Sequence, residues 1–125
     1  MTDTGAFKKI TQQDFTKIQL RTGTIKKVTA HGKYYSLLVD CAAADEDIRV
    51  IADLKAGYKM SELLGKQVIV ACNLQHEKID GLENEGMLLI THKNKKPVLI
   101  TTDKNSPEGA AVGGLTNKEY FFQGR

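Results

Sequence analysis

Short apolar blocks, separated by polar or glycine-containing segments, run along most of the chain. The blocks at residues 17–28, 35–41 and 48–51 are rich in β-branched, aromatic and leucine side chains, which predicts three β-strands. The run at residues 67–72 is almost wholly apolar, which predicts a fourth strand covered on both faces. A fifth strand is predicted at residues 87–91.

Two short helices are predicted beside these strands. Met60, Leu63 and Leu64 recur at the spacing of one helix face, so a short amphipathic helix is expected between the third and fourth strands. Gly65 is its predicted C-terminal cap. A weak capping box at residues 11–14 predicts a helical turn before the first strand, and Phe15 is expected to pack this turn onto the body.

In the first strand, the apolar positions that would face inward change from even to odd residue numbers. Ile18 and Leu20 are the inward positions before Gly23, and Ile25 is the inward position after it, so a bulge or bend is predicted at Gly23. A long bent first strand, two more strands, a helix and two further strands make up the order of an OB-fold. The predicted class is therefore all-β with short helices, built as a five-stranded OB-fold barrel.

The 125 residues fit one domain, with a core at about residues 14–103 and a C-terminal extension at residues 104–125. A basic turn at residues 92–96 and an additional strand at residues 98–101 follow the fifth strand. Three consecutive aromatic residues at positions 120–122 are expected to dock, either on the barrel of the same subunit or on a second copy.

The charge balance permits a nucleic-acid partner without requiring one. The formal net charge is +3, and 26% of the residues are charged. No apolar run is long enough to span a membrane, and residues 1–6 lack the apolar core of a secretion signal. A cytoplasmic location is therefore expected.

Catalytic and metal-binding motifs are not found in the sequence. It contains neither a Gly-x-Ser-x-Gly elbow nor a phosphate-binding Gly-Lys-Ser/Thr loop, and three scattered histidines do not complete a zinc site. Cys41 and Cys72 are expected to be reduced, largely buried thiols rather than a disulfide. Residues 45–47 are interpreted as a solvated acidic turn. We expect a protein without catalytic residues, metal or cofactor.

The polar segment between the fourth and fifth strands is the first place to expect binding chemistry, because two buried strands hold it. It carries Asn73, Leu74, Lys78, Gly81, Glu85, Gly86 and Met87. This series, together with residues 14–25, resembles the tRNA-binding domain at the end of some methionyl-tRNA synthetases and in free-standing tRNA-binding proteins. Asn84 stands where that family usually has serine. The resemblance covers roughly residues 10–115.

Two groups of residues are candidates for RNA contact. Charge and position on an OB-fold favour cationic side chains for phosphate contact, with Tyr34 and Tyr35 as stacking candidates of which one belongs to the core. The cations are Arg21, Lys26, Lys33, Arg49 and Lys78. The resemblance implies Arg21, Asn73, Lys78, Asn84, Glu85, Gly86 and Met87.

Some of these positions have an alternative structural role. Asn73 either reads a base or caps its own strand end. Met87 is favoured as a buried strand residue, and Glu85 as an acceptor that orders the loop.

The resemblance implies a non-enzymatic module that binds structured tRNA by shape and phosphate backbone, with an aminoacyl-tRNA synthetase as a possible partner. A homodimer is expected, because residues 110–122 are apolar enough to pair two copies. The alternative is a peptide-binding secretion chaperone of the same family. A third interpretation is a scaffold that holds a synthetase in a larger complex.

Overall fold

The computed structural model describes residues 7–42 and 46–114. The aromatic residues at positions 120–122 and Asp45 of the predicted acidic turn lie outside this range, whereas Glu46 and Asp47 of that turn are described and exposed. Eleven elements are found within the described residues. In chain order they are α1 Gln12–Phe15, β1 Leu20–His31, β2 Tyr34–Asp40, β3 Ile48–Ala52, α2 Met60–Leu63, β4 Gln67–Ala71, β5 Glu77–Ile79, β6 Leu82–Asn84, β7 Met87–Leu88, β8 Ile90–Lys93 and β9 Lys96–Leu99. Within this described part, no helix is long and apolar enough to cross a bilayer.

Five strands form one antiparallel sheet in the order β3-β2-β1-β4-β7. The sheet curls until its edge strand β3 meets the segment just before β7, where the amide of Glu85 donates to the carbonyl of Arg49 at 2.8 Å. The result is a nearly closed five-stranded barrel, which confirms the predicted OB-fold. The two remaining strand pairs, β5–β6 and β8–β9, are separate hairpins.

The barrel interior is filled by aliphatic side chains from every strand of the sheet. Ile25, Leu37, Val50 and Val68 are fully buried, and Leu63 of α2 enters the same cluster. A buried leucine or valine contributes about 1.5–3 kcal/mol relative to an exposed one, so this cluster is the main source of stability. The unbroken apolar character of β4 reflects burial on both faces, as predicted.

The interior pattern of β1 differs from the prediction. Arg21, Gly23 and Ile25 share the inward face, because Arg21 pairs with Val70 and Gly23 with Val68, and both valines are core residues. No parity change occurs at Gly23. A Cβ there would lie 2.7 Å from Cγ1 of Val39, so this glycine is required by close packing. The irregularity in the β1–β2 ladder lies instead between Ile25 and Lys27.

A second apolar cluster forms on the opposite face of the sheet. Leu20, Ile69 and Ala71 are buried there against Leu89 and Val112. The C-terminal segment reaches this face because it pairs with β1: the amide of Gly109 donates to Thr22 and the amide of Val112 donates to Leu20. Residues 110–112 therefore cover the chain's own barrel.

The helices are shorter than typical, and one expected contact is wrong. The hydroxyl of Thr11 caps α1 by accepting from the amide of Asp14 at 2.9 Å, as the sequence pattern predicted. Phe15, expected to pack onto the body, is 42% exposed, and Ile18 is 43% exposed because β1 begins only at Leu20. Gly65 adopts a φ of +86°, which is consistent with its predicted capping role.

The predicted fifth strand and the predicted polar loop both contain more structure than expected. The strand divides into β7 and β8, and β8 turns back as β9. The loop contains the β5–β6 hairpin, whose turn residues Asp80 and Gly81 have φ values of +50° and +85°. Two positive φ values are typical of a type I′ turn, for which Asp-Gly is a preferred sequence.

Candidate nucleic-acid interface

Asn73 holds the chain entering β1 against the end of β4. Its side-chain oxygen accepts from the amide of Gln19 at 2.7 Å, and its side-chain nitrogen donates to the carbonyl of Lys17 at 2.6 Å. The amide of Cys72 also donates to Gln19. Asn73 thus continues the β1–β4 ladder by one step. Of the two roles expected for it, capping a strand end and reading a base, this geometry corresponds to the first.

Asn84 and Glu85 complete the barrel with their side chains. Oδ1 of Asn84 accepts from the amide of Ile51 at 2.8 Å, and Oε1 of Glu85 accepts from the amide of Arg49 at 2.6 Å. These amides belong to the free edge of β3, where no backbone carbonyl of β7 is placed to pair with them. We call the four residues Arg49, Ile51, Asn84 and Glu85 the barrel seam.

The two residues after the barrel seam differ sharply in their surroundings. A Cβ on Gly86 would lie 2.9 Å from the carbonyl oxygen of Ala71 and 3.1 Å from Cδ1 of Ile48, so only glycine lets the chain pass here without displacing a neighbour. Met87 is 58% exposed, and the expectation that it is buried is wrong. Its register partner Ala71 is buried on the second apolar face, whereas the methionine itself lies at the sheet edge.

Arg21 and Lys26 lie near the C-terminal segment and away from the barrel seam. Arg21 is only 8% exposed, and its Nη1 donates to the carbonyl of Ala42 at 3.1 Å. Lys26, at the ladder irregularity, forms an ion pair with Glu108 at 3.7 Å. A buried guanidinium cannot meet a phosphate without rearrangement, so Arg21 is better placed to hold the barrel end than to bind RNA.

Register places a row of side chains on the outer face of β1, β2 and β3. Lys27 opposes Leu38, and Leu38 opposes Arg49, so these three residues share one face. His31 opposes Tyr34 on the same face. We call the set Lys27, His31, Tyr34, Leu38 and Arg49 the sheet face. It is the surface with which OB-folds usually bind oligonucleotides.

The cationic end of the sheet face is the β1–β2 turn. Nζ of Lys33 lies 5.3 Å from the ring centroid of Tyr34, and Nζ of Lys55 donates to the carbonyl of Gly32. Tyr34 is half-buried and accessible, whereas Tyr35 is buried and donates its hydroxyl to the carbonyl of Tyr58 at 2.8 Å. This confirms that one of the two tyrosines belongs to the core.

The opposite end of the sheet face is acidic. An open cleft of about 420 Å³ is lined by Leu38, Glu46, Asp47, Arg49 and Glu85. Three carboxylates surround one guanidinium there, so Arg49 adds little positive potential on balance. Its Nε is buried and has no hydrogen-bond partner among the described residues.

The β5–β6 hairpin lies over the β1–β2 turn, because Nε2 of His31 donates to the carbonyl of Asp80 at 2.7 Å. Lys78 is exposed on this hairpin, but Glu83 is its direct cross-strand partner and Glu77 precedes it. The cation is therefore set among carboxylates.

The structure thus brings Arg49, Asn84 and Glu85 together at the barrel seam, with Gly86 beside them. Lys33 lies at the β1–β2 turn, and Lys78 lies on the β5–β6 hairpin between that turn and Asn84 of the seam. Arg21, Lys26 and Asn73 lie at neither end of the sheet face. Sequence reasoning missed Lys27, because the irregularity after Ile25 reverses the outward parity of β1. The Asp80-Gly81 pair is the sequence signal from which the overlooked β5–β6 hairpin could have been predicted.

The two cysteines approach each other at one end of the barrel. The thiol of Cys72 donates to Sγ of Cys41 at 3.6 Å, and the two cysteines do not form a disulfide. This hydrogen bond, followed by burial and by the charge of Cys41, raises the pKa of the Cys72 thiol well above its ordinary value, while the guanidinium of Arg21 opposes the shift. The thiol is therefore expected to stay protonated at neutral pH.

The family model described as "Putative tRNA binding domain" matches residues 20–111, which include the whole barrel and both hairpins. The chain therefore belongs to the tRNA-binding domain family.

Relatives and solved structures agree with this assignment. A methionine–tRNA ligase from Methanococcus vannielii is 37% identical over 101 residues, which cover 78% of this chain and 15% of the ligase. The chain thus spans only a small part of such relatives. A MetRS-related protein from Pyrococcus horikoshii superposes with a TM-score of 0.75 at 28% identity, over 86% of this chain and 100% of that one. A CsaA chaperone from Picrophilus torridus superposes with a TM-score of 0.77 at 26% identity, over 84% of this chain and 100% of that one.

Proposed function

We propose that the protein is a non-catalytic tRNA-binding module that holds structured tRNA through its phosphate backbone and its shape. The observation that supports this proposal is the cationic end of the sheet face, where Lys33 and Lys55 are exposed at the β1–β2 turn with the accessible ring of Tyr34 beside Lys33. Lys27 is exposed on the same face further along β1, opposite Leu38. Family membership and the OB-fold binding rule favour the same surface.

The proposed mechanism is electrostatic capture followed by shape matching. Duplex RNA hides its base edges in a deep groove, so lysine contacts to phosphate hold it without reading sequence. The ring of Tyr34 is suited to stack on an unpaired base at a loop or an end. No proton transfer or covalent step is part of this function.

The sequence-predicted residues divide into two proposed roles. Lys33, Lys78 and Met87 have exposed side chains and are proposed as direct contacts, with Lys26 contributing after it releases Glu108. Arg21, Asn73, Asn84, Glu85 and Gly86 are proposed to act indirectly, because they hold the backbone that carries those contacts. Arg49 belongs both to the sheet face and to the barrel seam, and we assign it both roles.

Fluorescence anisotropy with labelled tRNA at about 0.1 M salt tests the proposal. Each lost phosphate contact lowers affinity about eight-fold at this salt concentration. The double variant Lys27→Gln/Lys33→Gln is expected to bind about 60-fold more weakly, whereas the control Lys8→Gln/Lys9→Gln removes the same charge from the exposed N-terminal segment. A wild-type protein that does not bind, or equal losses in both variants, would refute it.

We also propose that the module acts in the cytoplasm, as a homodimer and in association with an aminoacyl-tRNA synthetase. The exposed apolar side chains of Phe15, Ile18, Leu74 and Met87 are found around the end of β4 and support pairing of two copies there. Light scattering after size exclusion is expected to give twice the chain mass of 13.8 kDa. A monomer at high concentration would contradict the homodimer.

The second candidate function is peptide binding by a chaperone. The superposition with the Picrophilus torridus chaperone and the same exposed apolar residues favour it. It predicts suppression of aggregation of an unfolded substrate protein, with loss of that activity in Met87→Ser and no salt-dependent affinity for tRNA. Binding to tRNA without any effect on aggregation would exclude it.

A further inference from the structure

The two hairpins that project from the barrel carry opposite charge. Residues 77–84 hold one lysine, Lys78, and three carboxylates, whereas residues 90–99 hold three lysines and no carboxylate. Because RNA is a polyanion, the second hairpin is electrostatically the better match. The segment that resembles the family signature is thus the more acidic of the two.

The lysines of the β8–β9 turn are exposed and crowded together. Lys93, Lys95 and Lys96 are all exposed, and none of them forms an ion pair with any described residue. Lys93 and Lys96 oppose each other directly across the hairpin. Like charges at opposed positions repel, and a bound anion relieves that repulsion.

The turn itself is held in one conformation. Asn94 and Lys95 have φ values of +53° and +67°, which is typical of a type I′ turn. The base of the hairpin is anchored, because the hydroxyl of Tyr58 accepts from the amide of Leu99 at 2.9 Å. A rigid turn presents its charges with little ordering cost on binding.

The same hairpin is joined to the sheet face through the loop after β3. A Cβ on Gly57 would lie 2.6 Å from the carbonyl oxygen of Pro97, so this loop packs directly on β9. At its other end Lys55 donates to Gly32 in the β1–β2 turn. The exposed cation Lys55 therefore lies on the loop that connects the β1–β2 turn to the hairpin, and the exposed Lys59 follows this loop as the N-cap residue of α2.

We propose that the β8–β9 turn, with Lys93, Lys95 and Lys96, is a second phosphate-binding element that contacts the tRNA backbone beyond the sheet face. This inference rests on the proposed tRNA-binding function and assigns residues to it that the family signature does not contain. The turn binds phosphate oxygens through ammonium groups and is indifferent to base sequence.

The sharpest single test is Lys95→Gly, because it separates stability from binding. The left-handed conformation at position 95 favours glycine, and Asn-Gly is a preferred type I′ pair. The variant is therefore expected to keep its Tm or raise it by about 2–5 °C, whereas its tRNA affinity falls about eight-fold at 0.1 M salt. A loss of affinity in a more stable protein cannot come from unfolding.

The triple variant Lys93→Gln/Lys95→Gln/Lys96→Gln measures the whole element. Affinity for tRNA is expected to fall about 60-fold to 500-fold, and the slope of log K against log salt to decrease in magnitude by about 2–3. The matched control is Lys8→Gln/Lys9→Gln/Lys17→Gln. Its lysines lie on the N-terminal segment that leads into β1. Asn73 fastens this segment to the C-terminal end of β4, whereas the connection after β9 is fastened to Gln67 at the other end of β4.

The outcomes separate the two proposals. Wild-type binding with equal affinity in the triple variant and its control overturns the second element and leaves the proposed function intact. No wild-type binding at any salt concentration overturns the proposed function and this inference together. Binding lost in the triple variant but kept in its control supports the element.

Discussion

Replacing Glu85 with alanine is expected to weaken the barrel seam. Oε1 of Glu85 accepts from the amide of Arg49 at 2.6 Å in a part-buried position, and the substitution leaves that amide without its acceptor. A hydrogen bond to a charged group is worth about 1.5–3 kcal/mol, and an unsatisfied buried donor costs about 1–3 kcal/mol. Because the seam is partly accessible to water, we expect a loss of about 2 kcal/mol.

Urea unfolding followed by circular dichroism measures this loss as a lower midpoint at an unchanged slope. The matched control is Glu85→Gln, which keeps an acceptor oxygen of nearly the same length and is expected to lose about 1 kcal/mol. If Glu85 acts by holding the barrel, both variants bind tRNA as the wild type does wherever they are folded. Full stability of Glu85→Ala, or a large loss of tRNA affinity in a stable variant, would refute this reasoning.

Three further predictions concern other parts of the barrel. Asn73→Ala is expected to lose about 1–2 kcal/mol of unfolding free energy, because it removes both hydrogen bonds that hold residues 17–19, and faster amide exchange there would report it. Gly23→Ala is expected to lose about 1–3 kcal/mol by overpacking against Val39, whereas Gly114→Ala, which meets nothing within 4 Å, is its neutral control in thermal unfolding. Because the pKa of Cys72 is raised in the fold, its contribution to stability is present below the unfolded pKa of about 8.5 and is lost as pH rises. The urea midpoint is therefore expected to fall between pH 8 and 9.5 in the wild type and to fall less in Cys72→Ser.

The fold was predictable because its signals are local. Each signal can be read from neighbouring residues: the apolar strand blocks, the helical spacing of Met60 and Leu63, and the long first strand. Together these signals are compatible with few topologies. The type I′ turn at Asp80-Gly81 was equally local, and the β5–β6 hairpin was overlooked only because its strands are short and polar.

The roles of the signature residues were not predictable in the same way. Glu85 and Arg49 are 36 positions apart, and nothing near either residue indicates that a carboxylate will replace a backbone acceptor. The inward position of Arg21 depends on the register with Val70, and the outward position of Lys27 depends on an irregularity that lies three residues after the glycine expected to cause it. Long-range register decided which cations became accessible.

An amide NMR titration of the protein with unlabelled tRNA tests most directly where the RNA lies. We predict the largest shift changes at residues 27–34, 92–97, 78 and 87, with small changes at residues 20–23, at residues 84–86 and around Asn73. The reverse distribution, with changes concentrated at residues 20–23, at residues 84–86 and around Asn73, would contradict an account in which exposed side chains bind the tRNA and Arg21, Asn73, Asn84, Glu85 and Gly86 hold the barrel.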